Sequence, residues 1–182
     1  MTRERIEFDP SIINSSNVYD YATEEVWIDG GVDSQVFHLG DWVLKKYNAR
    51  GPSVEQVLLY QEVTNLVANR LRGYTADLGL FGKVVLEVEP IIKVFGSDKY
   101  NQAFSISKYV GGRRLKDGQN KTFDSFLKDL SSEIMEAIGY KGIELCAPNT
   151  KLNKINSGIS ILAKSTCTVT DICRYVEDLH AG

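Results

Sequence analysis

The sequence predicts an α+β protein of two lobes: an N-terminal lobe with an antiparallel sheet and one helix, and a reduced, mainly helical C-terminal lobe that carries a β-hairpin. Two observations lead to this class. Short runs rich in β-branched and aromatic residues fill the first part of the chain, and the most regular helical pattern follows a glycine pair at 111–112. The 182 residues suffice for one domain, or for one domain in two lobes.

Composition and charge narrow the class of protein. Apolar residues make up 43% of the chain and charged residues 25%, which is ordinary for a soluble globular protein. The net charge is −3, and no basic stripe is visible. Nucleic-acid binders usually carry a basic surplus, because release of phosphate counterions drives their affinity. We therefore do not expect nucleic acid as a primary ligand.

The compartment is predicted from features that the sequence lacks. No apolar run approaches the roughly 20 residues needed to cross a bilayer. The N-terminus has acidic residues and lacks the apolar segment of a signal peptide. The three cysteines are odd in number and have no CxxC spacing, which is typical of reduced thiols. We expect a cytoplasmic protein with no membrane partner.

The N-terminal lobe is predicted to cover residues 24–111, after an irregular lead-in at 1–23. Glycine turns separate three strand-like runs, EEVWID, QVFHL and WVLKKY, which predicts an antiparallel meander. A helix follows over 53–71, where Pro52 fits the first turn and no glycine or proline interrupts. Three further strand-like runs, KVVLEVE, IIKVFG and AFSISKYV, give the sheet five or six strands.

The C-terminal lobe is predicted over residues 112–182. A single apolar stripe predicts a helix from Thr122 to Ile138, with Thr122 as its cap and Gly139 in the left-handed conformation after its end. A non-helical segment, IELCAPNTKL, comes next. Two apolar runs, GISILA and TVTDI, then predict a hairpin, and residues 172–179 a short terminal helix.

Two features of the first lobe suggest phosphate chemistry. A glycine pair, Gly30 and Gly31, lets backbone N–H groups approach a phosphate closely, although most such pairs are simply turns. Strand alternation puts Lys45 on the face of Val43 and Tyr47, where an ammonium needs a carboxylate or a phosphate unless it extends to solvent.

Carboxylates elsewhere supply the complementary groups. Glu55 and Glu62 lie two helical turns apart on one face, so either can pair with the lysine, or both can face solvent. Asn149 and Asp171 would suffice as the protein's share of the oxygen ligands of Mg²⁺. Glu144 could then orient or deprotonate a hydroxyl. As isolated residues, each can equally be structural.

In this order, the features resemble the protein-kinase-like fold, in the reduced form of small atypical kinases such as the aminoglycoside phosphotransferases. The resemblance implies that the hairpin carrying Gly30 and Gly31, with Ser34, covers a nucleotide. It implies that Lys45 contacts the phosphates and that Glu62, with Glu55 in reserve, holds it. It also implies a hinge at 107–112, where the backbones of Lys108 and Val110 bind adenine.

The resemblance extends to the second lobe. Glu144 and Asn149 have the five-residue spacing of the kinase catalytic aspartate and the metal-binding asparagine, and Asp171 matches the second Mg²⁺ ligand. The implied activity is transfer of the γ-phosphoryl group of ATP, with Mg²⁺, to an unknown hydroxyl acceptor. Lys45 and Glu144 would be its catalytic residues.

Departures from the family pattern keep two alternatives open. Glutamate stands at the aspartate position, the full glycine-rich loop is missing, and only eleven residues follow Asp171. These departures favour a pseudokinase or interaction scaffold without phosphotransfer. A plain interaction protein with accidental matches is the other alternative. The reduced lobe also leads us to expect surface that a second copy or another protein covers.

Overall fold

The computed structural model describes residues 9–30, 34–77, 83–116, 118, 121–154, 165–173 and 175–182. The chain divides into two compact units, one formed by Met1–Glu62 with Pro90–Tyr109, the other by Val63–Glu89 with Val110–Gly182. Among the described residues, no helix combines the length and hydrophobicity needed to cross a membrane.

The elements follow one another along the chain with these bounds. The helices are α1 (Val18–Tyr21), α2 (Val54–Arg70) and α3 (Lys121–Ile138), and short 3-10 turns lie at Pro10–Ile12, Glu24–Val26, Ala147–Asn149 and Val176–Asp178. The strands are β1 (Trp27–Gly30), β2 (Ser34–Leu39), β3 (Trp42–Tyr47), β4 (Thr75–Asp77), β5 (Lys83–Val88), β6 (Ile91–Gly96), β7 (Ala103–Lys108), β8 (Arg113–Arg114), β9 (Tyr140–Lys141), β10 (Thr150–Lys154), β11 (Ser165–Val169) and β12 (His180–Ala181).

The first unit is built on a five-stranded sheet in the order β1-β2-β3-β7-β6. Every neighbouring pair in it is antiparallel. The turn between β2 and β3 contains Gly40 with φ 64°, a value that favours glycine. The predicted three-stranded meander is confirmed, and two strands that follow the helix join it as expected.

The core of the first unit lies on one face of this sheet. Its buried members are Ile13, Val18, Phe37, Leu39, Leu44, Phe104 and Ile106. Two of them, Ile13 and Val18, belong to the lead-in that the sequence predicted to be irregular. The described part of the lead-in, residues 9–23, instead forms a 3-10 turn and α1. The ammonium of Lys93 donates to the carbonyls of Ser11 (3.2 Å) and Ile13 (2.5 Å).

Helix α2 begins at a reciprocal cap. The backbone N–H of Gln56 donates to the Ser53 hydroxyl (3.2 Å), and the N–H of Ser53 donates to the Gln56 side-chain oxygen (2.8 Å). The predicted helix is confirmed to within a residue at each end. Two of its leucines, Leu58 and Leu66, are 46% and 39% exposed. The buried positions are Val57, Tyr60, Val63, Thr64 and Val67.

The second unit contains a mixed sheet in the order β4-β5-β11-β10-β8. Strand β5 pairs in parallel with β11, while the other pairs are antiparallel. The prediction for the KVVLEVE run was therefore wrong: as β5 it belongs to this sheet and not to the first. The predicted hairpin exists as β10 and β11, and its GISILA run lies outside the described residues.

The expectation of a mainly helical second lobe was also wrong. Among the described residues of the second unit, α3 and the last turns of α2 are α-helical, and the strands β4, β5 and β8 to β12 together contain nearly as many residues as these helices. Helix α3 starts at Lys121, so Thr122 lies inside the helix and is not its cap. Gly139 has φ +74° as predicted. Among the described residues of 172–179, Val176–Asp178 forms a 3-10 turn and no α-helix is present, and β12 follows and pairs with β9.

Candidate functional site

Three of the predicted site residues come together in the second unit. The backbone N–H of Thr170 donates to the carbonyl of Asn149 (2.8 Å), as does the Thr170 hydroxyl (3.0 Å). The backbone N–H of Glu144 donates to the carbonyl of Ile172 (2.7 Å). The residues on either side of Asp171 therefore make backbone hydrogen bonds to the other two site residues: Thr170 bonds to Asn149, and Ile172 bonds to Glu144. We call these three residues the loop cluster.

The β10–β11 hairpin explains half of this arrangement. Thr150 at the start of β10 is paired with Val169 at the end of β11. The residues just outside the hairpin, Asn149 and Thr170, are therefore neighbours at its open end. Strand register therefore brings the backbones of Asn149 and Thr170, which are distant in sequence, next to each other, with Asp171 following directly.

The segment that carries Glu144 is fixed to helix α3 by a buried serine. The Ser131 hydroxyl donates to the carbonyl of Leu127 (2.7 Å) and accepts from the N–H of Leu145 (2.9 Å). Ile143 and Leu145 are buried, and Glu144 between them is exposed. The sequence analysis missed Ser131, although a polar residue on the apolar face of an amphipathic helix was a usable signal.

A second set of bonds closes the segment at Asn149. The Thr150 hydroxyl donates to the carbonyl of Cys146 (2.8 Å), and the N–H of Asn149 donates to the same carbonyl (3.2 Å). Asn149 and Asp171 are both half-buried. No group of three or more His, Cys, Asp or Glu side chains in the described ranges is placed to hold a metal ion. The loop cluster is a different donor set, an amide and a carboxylate beside an exposed glutamate.

Lys45 lies on the middle strand of the first sheet, opposite Val36 on β2 and Ser105 on β7. The neighbouring Lys46 places its ammonium 5.6 Å from the centre of the Tyr19 ring, on the face of the apolar core. Alternation puts Lys45 on the opposite face, half-buried, with Val43 and Tyr47. The predicted sharing of faces is confirmed.

The other predicted residues of the first unit have the following places. Gly30 ends β1, Ser34 begins β2, and Gly31 lies outside the described residues. Glu55 and Glu62 are both exposed on α2. Which of the two pairs with Lys45 stays a prediction.

The predicted hinge divides between the two units. Lys108 ends β7 in the first unit, opposite Trp42, and is exposed. After it, the N–H of Tyr109 donates to the carbonyl of Asp41 (2.8 Å). Val110 belongs to the second unit, where its carbonyl accepts from the ammonium of Lys151 (2.7 Å). The adenine contacts predicted for these backbones stay predictions.

Comparison with known proteins gives a weak structural likeness and no family. No protein-family model matches the chain. No curated protein matches it either. Among solved structures, it is similar to WbdD in a co-crystal structure with a kinase inhibitor, at 12% sequence identity and a TM-score of 0.41. The match covers 85% of this chain and 33% of WbdD, so the chain spans about a third of that protein's length.

Proposed function

We propose that this protein binds ATP with Mg²⁺ and that Asn149 and Asp171 supply its protein ligands to the metal. The observation that carries the proposal is the loop cluster. Hydrogen bonds of Thr170 and Ile172, the two neighbours of Asp171, join this segment to Asn149 and Glu144, which the family resemblance had selected from the sequence. This agreement between spacing and structure supports a common chemical role.

The residues present suit this metal. Mg²⁺ prefers oxygen ligands and usually takes one or two carboxylates, leaving its other positions to phosphate oxygens and water. Asn149 offers an amide oxygen and Asp171 a carboxylate, from the two segments that meet at the hairpin's open end. When bound, the ion would neutralise charge on the phosphates.

We further propose phosphoryl transfer to a hydroxyl. Glu144 is exposed beside Asp171 and would accept the proton of the acceptor hydroxyl. The acceptor oxygen forms a bond to the γ-phosphorus, the bond from that phosphorus to the β–γ bridging oxygen breaks, and ADP leaves. Binding of ATP without transfer would make the protein a pseudokinase, the reading that glutamate at this position favours.

The nucleotide contacts proposed in the first unit rest on the family resemblance and on the place of Lys45. A half-buried lysine on a sheet face with Val43 and Tyr47 is suited to binding a phosphate or a carboxylate. We propose phosphate binding by Lys45, with Glu62 as its partner. Backbone contacts from Gly30, Gly31, Ser34, Lys108 and Val110 complete the set.

The first test is the melting temperature with and without Mg-ATP. A ligand at a hundred times its Kd stabilises by about 2.7 kcal/mol, or roughly 5–10 °C for a chain of this size. We expect that shift in the wild type and its loss in Asp171→Ala or on chelation of Mg²⁺. Asp129→Ala, which removes an exposed carboxylate on α3, is the matched control and should keep it. The absence of any shift at millimolar ATP would overturn the proposal.

Transfer is tested separately from binding. Glu144→Gln should keep the shift in melting temperature that Mg-ATP causes. It should abolish transfer of the labelled γ-phosphoryl group to an acceptor, because the amide cannot take the proton. Wild-type protein that binds Mg-ATP and transfers nothing would support the pseudokinase alternative. Lys45→Met should weaken nucleotide binding, whereas Lys46→Met should not.

A further inference from the structure

A cavity of about 450 Å³ lies in the second unit between helix α3 and the segment 143–147. Its volume is within the usual range for small-molecule sites. One stripe of α3 supplies Asp124, Lys128, Ser131 and Met135 to its wall, and Glu144 lines the other side. The cavity therefore adjoins the residue that we propose to receive the acceptor's proton.

One positive and one negative side chain, Lys128 and Glu144, line this cavity and do not form an ion pair with each other. Among the described residues, neither the Lys128 ammonium nor the Glu144 carboxylate has a hydrogen-bond or ion-pair partner. Asp124 lies one turn before Lys128, but its carboxylate accepts from the N–H of Gly118 (3.0 Å) and forms no ion pair with the lysine. The Ser131 hydroxyl is already used by Leu127 and Leu145.

The unpaired charges define the ligand that fits. The Lys128 ammonium on one side of the cavity would bind an anionic group of a ligand. The Glu144 carboxylate on the other side would accept a hydrogen bond from a donor on the same ligand. We infer that the cavity binds a small polyol bearing a carboxylate or a phosphate, with the anion on Lys128 and a hydroxyl at Glu144. The acceptor role of that hydroxyl rests on the proposed function, whereas anion binding by Lys128 does not.

The chain offers a single reporter for this cavity. Its two methionines are Met1 and Met135, and Met135 lines the wall. Labelling the methionine methyl groups with ¹³C therefore gives one cavity signal and one terminal signal. A ligand that enters the cavity should shift the Met135 resonance in a saturable manner, and the titration gives its Kd.

The probes are gluconate, sorbitol, glucamine and sorbitol 6-phosphate, which share a carbon chain and differ in the terminal group. We expect at least one anionic probe to bind about tenfold or more tightly than sorbitol, since hydrogen bonds to charged groups are the stronger ones. The lower Kd of the two anionic probes, gluconate and sorbitol 6-phosphate, shows whether the cavity prefers a carboxylate or a phosphate. Equal affinities, or tightest binding of glucamine, would overturn the inference.

Lysine variants test the assigned contact. Lys128→Met should bring the affinities for anionic and neutral probes to about the same value, and Lys128→Arg should restore the preference. Lys121→Met removes an exposed lysine two turns earlier on α3, outside the cavity, and should leave the preference unchanged. A preference that survives in Lys128→Met would also overturn the inference.

The two proposals fail in different ways. If Mg-ATP raises the melting temperature but no probe shifts the Met135 signal at millimolar concentration, the nucleotide site stands and the cavity assignment is wrong. If an anionic probe binds through Lys128 but Mg-ATP gives no stabilisation, the cavity is a ligand site and the proposed function is wrong.

Discussion

The two sheets of this protein are assembled in different ways. In the first, β1 pairs with β2, β2 with β3, and β6 with β7, so most neighbours are hairpins of consecutive strands. In the second, β5 lies in parallel beside β11, which comes much later in the chain. A hairpin depends on its own turn, whereas a parallel pair depends on everything folded between its strands. Most of the first sheet was therefore predictable, whereas in the second sheet the β10–β11 hairpin was predicted and the place of β5 beside β11 was not.

The residues proposed for function divide in the same way. Lys45 lies in the meander, where strand alternation fixed its face from sequence. The loop cluster depends on the later assembly, because Asp171 follows β11 and Glu144 follows β9. The second unit therefore combines the less predictable sheet with the residues proposed for metal binding and proton transfer.

The largest expected effect is in the core of the first sheet. Phe104 is fully buried and lies with its ring centre 5.6 Å from that of Phe95 and 5.7 Å from that of Tyr19. Phe104→Ala should lower the free energy of unfolding by about 3–5 kcal/mol. Tryptophan fluorescence during urea unfolding measures this, since both tryptophans, Trp27 and Trp42, are in the first unit.

The control for that experiment is on the same sheet. Ile92 is 45% exposed on β6, and Ile92→Ala should cost less than about 1 kcal/mol. Circular dichroism, which also reports α3 of the second unit, should be followed in parallel. Equal losses for the two substitutions would contradict the assignment of Phe104 to the core.

The next effect concerns the β9–β12 ribbon of the second unit. Gly142 has φ +85°, and a Cβ there would lie 2.3 Å from the carbonyl oxygen of Asp178. Gly139 has a similar φ of +74°, but a Cβ there would meet nothing within 4 Å. Gly139→Ala should cost about 1–2 kcal/mol for the left-handed backbone. Gly142→Ala should cost about 1–3 kcal/mol more, because the ribbon must move.

Thermal unfolding of the two glycine variants separates backbone strain from steric conflict. The difference between them measures how firmly β12 is held against the segment that leads to Glu144. If both variants have the same stability, the ribbon is loosely held, and the second unit is less well packed than the first.

A smaller effect is expected at the link between α3 and the site. Ser131→Ala removes the acceptor of the Leu145 N–H in a buried setting, which should cost about 1–3 kcal/mol. Ser132→Ala is the matched control: its exposed hydroxyl donates to the carbonyl of Lys128 and accepts nothing described, so stability should change little. Urea unfolding followed by circular dichroism compares the two, and equal stabilities would rule out a structural role for Ser131.

The smallest effect is in the lead-in of the first unit. The N–H of Ser11 donates to the Asp9 carboxylate (2.8 Å), which lowers the pKa of Asp9 below its usual 3.8, and the Ser11 side chain lowers it further. Because the folded pKa is the lower one, this stabilisation is present above pH 3.8 and is lost as the pH falls through the folded pKa. An NMR titration of Asp9 should show the depressed value. A value at or above the usual one would mean that the turn is open in solution.

Part of the candidate site could be proposed from the sequence because it rests on short-range spacing. The five-residue spacing of Glu144 and Asn149, and an aspartate just after a strand-like run, were visible in the sequence. Ser131 and the cavity beside it were not identified, because both arise where α3 packs on a segment that has no regular pattern of its own. The lead-in was misjudged for the same reason: Ile13 and Val18 are buried by a core that local composition does not show.

The sequence by itself determined the three-stranded meander, the bounds of the two long helices to within a residue or two, the left-handed glycine after α3 and the face on which Lys45 lies. All of these follow from turns and side-chain periodicity over a few residues. Only the tertiary structure decided that β5 joins β11 and that the second unit is rich in strands. It also decided that Thr170 and Ile172, the neighbours of Asp171, bond to Asn149 and Glu144. Such pairings depend on distant segments, and no local pattern encodes which strands meet.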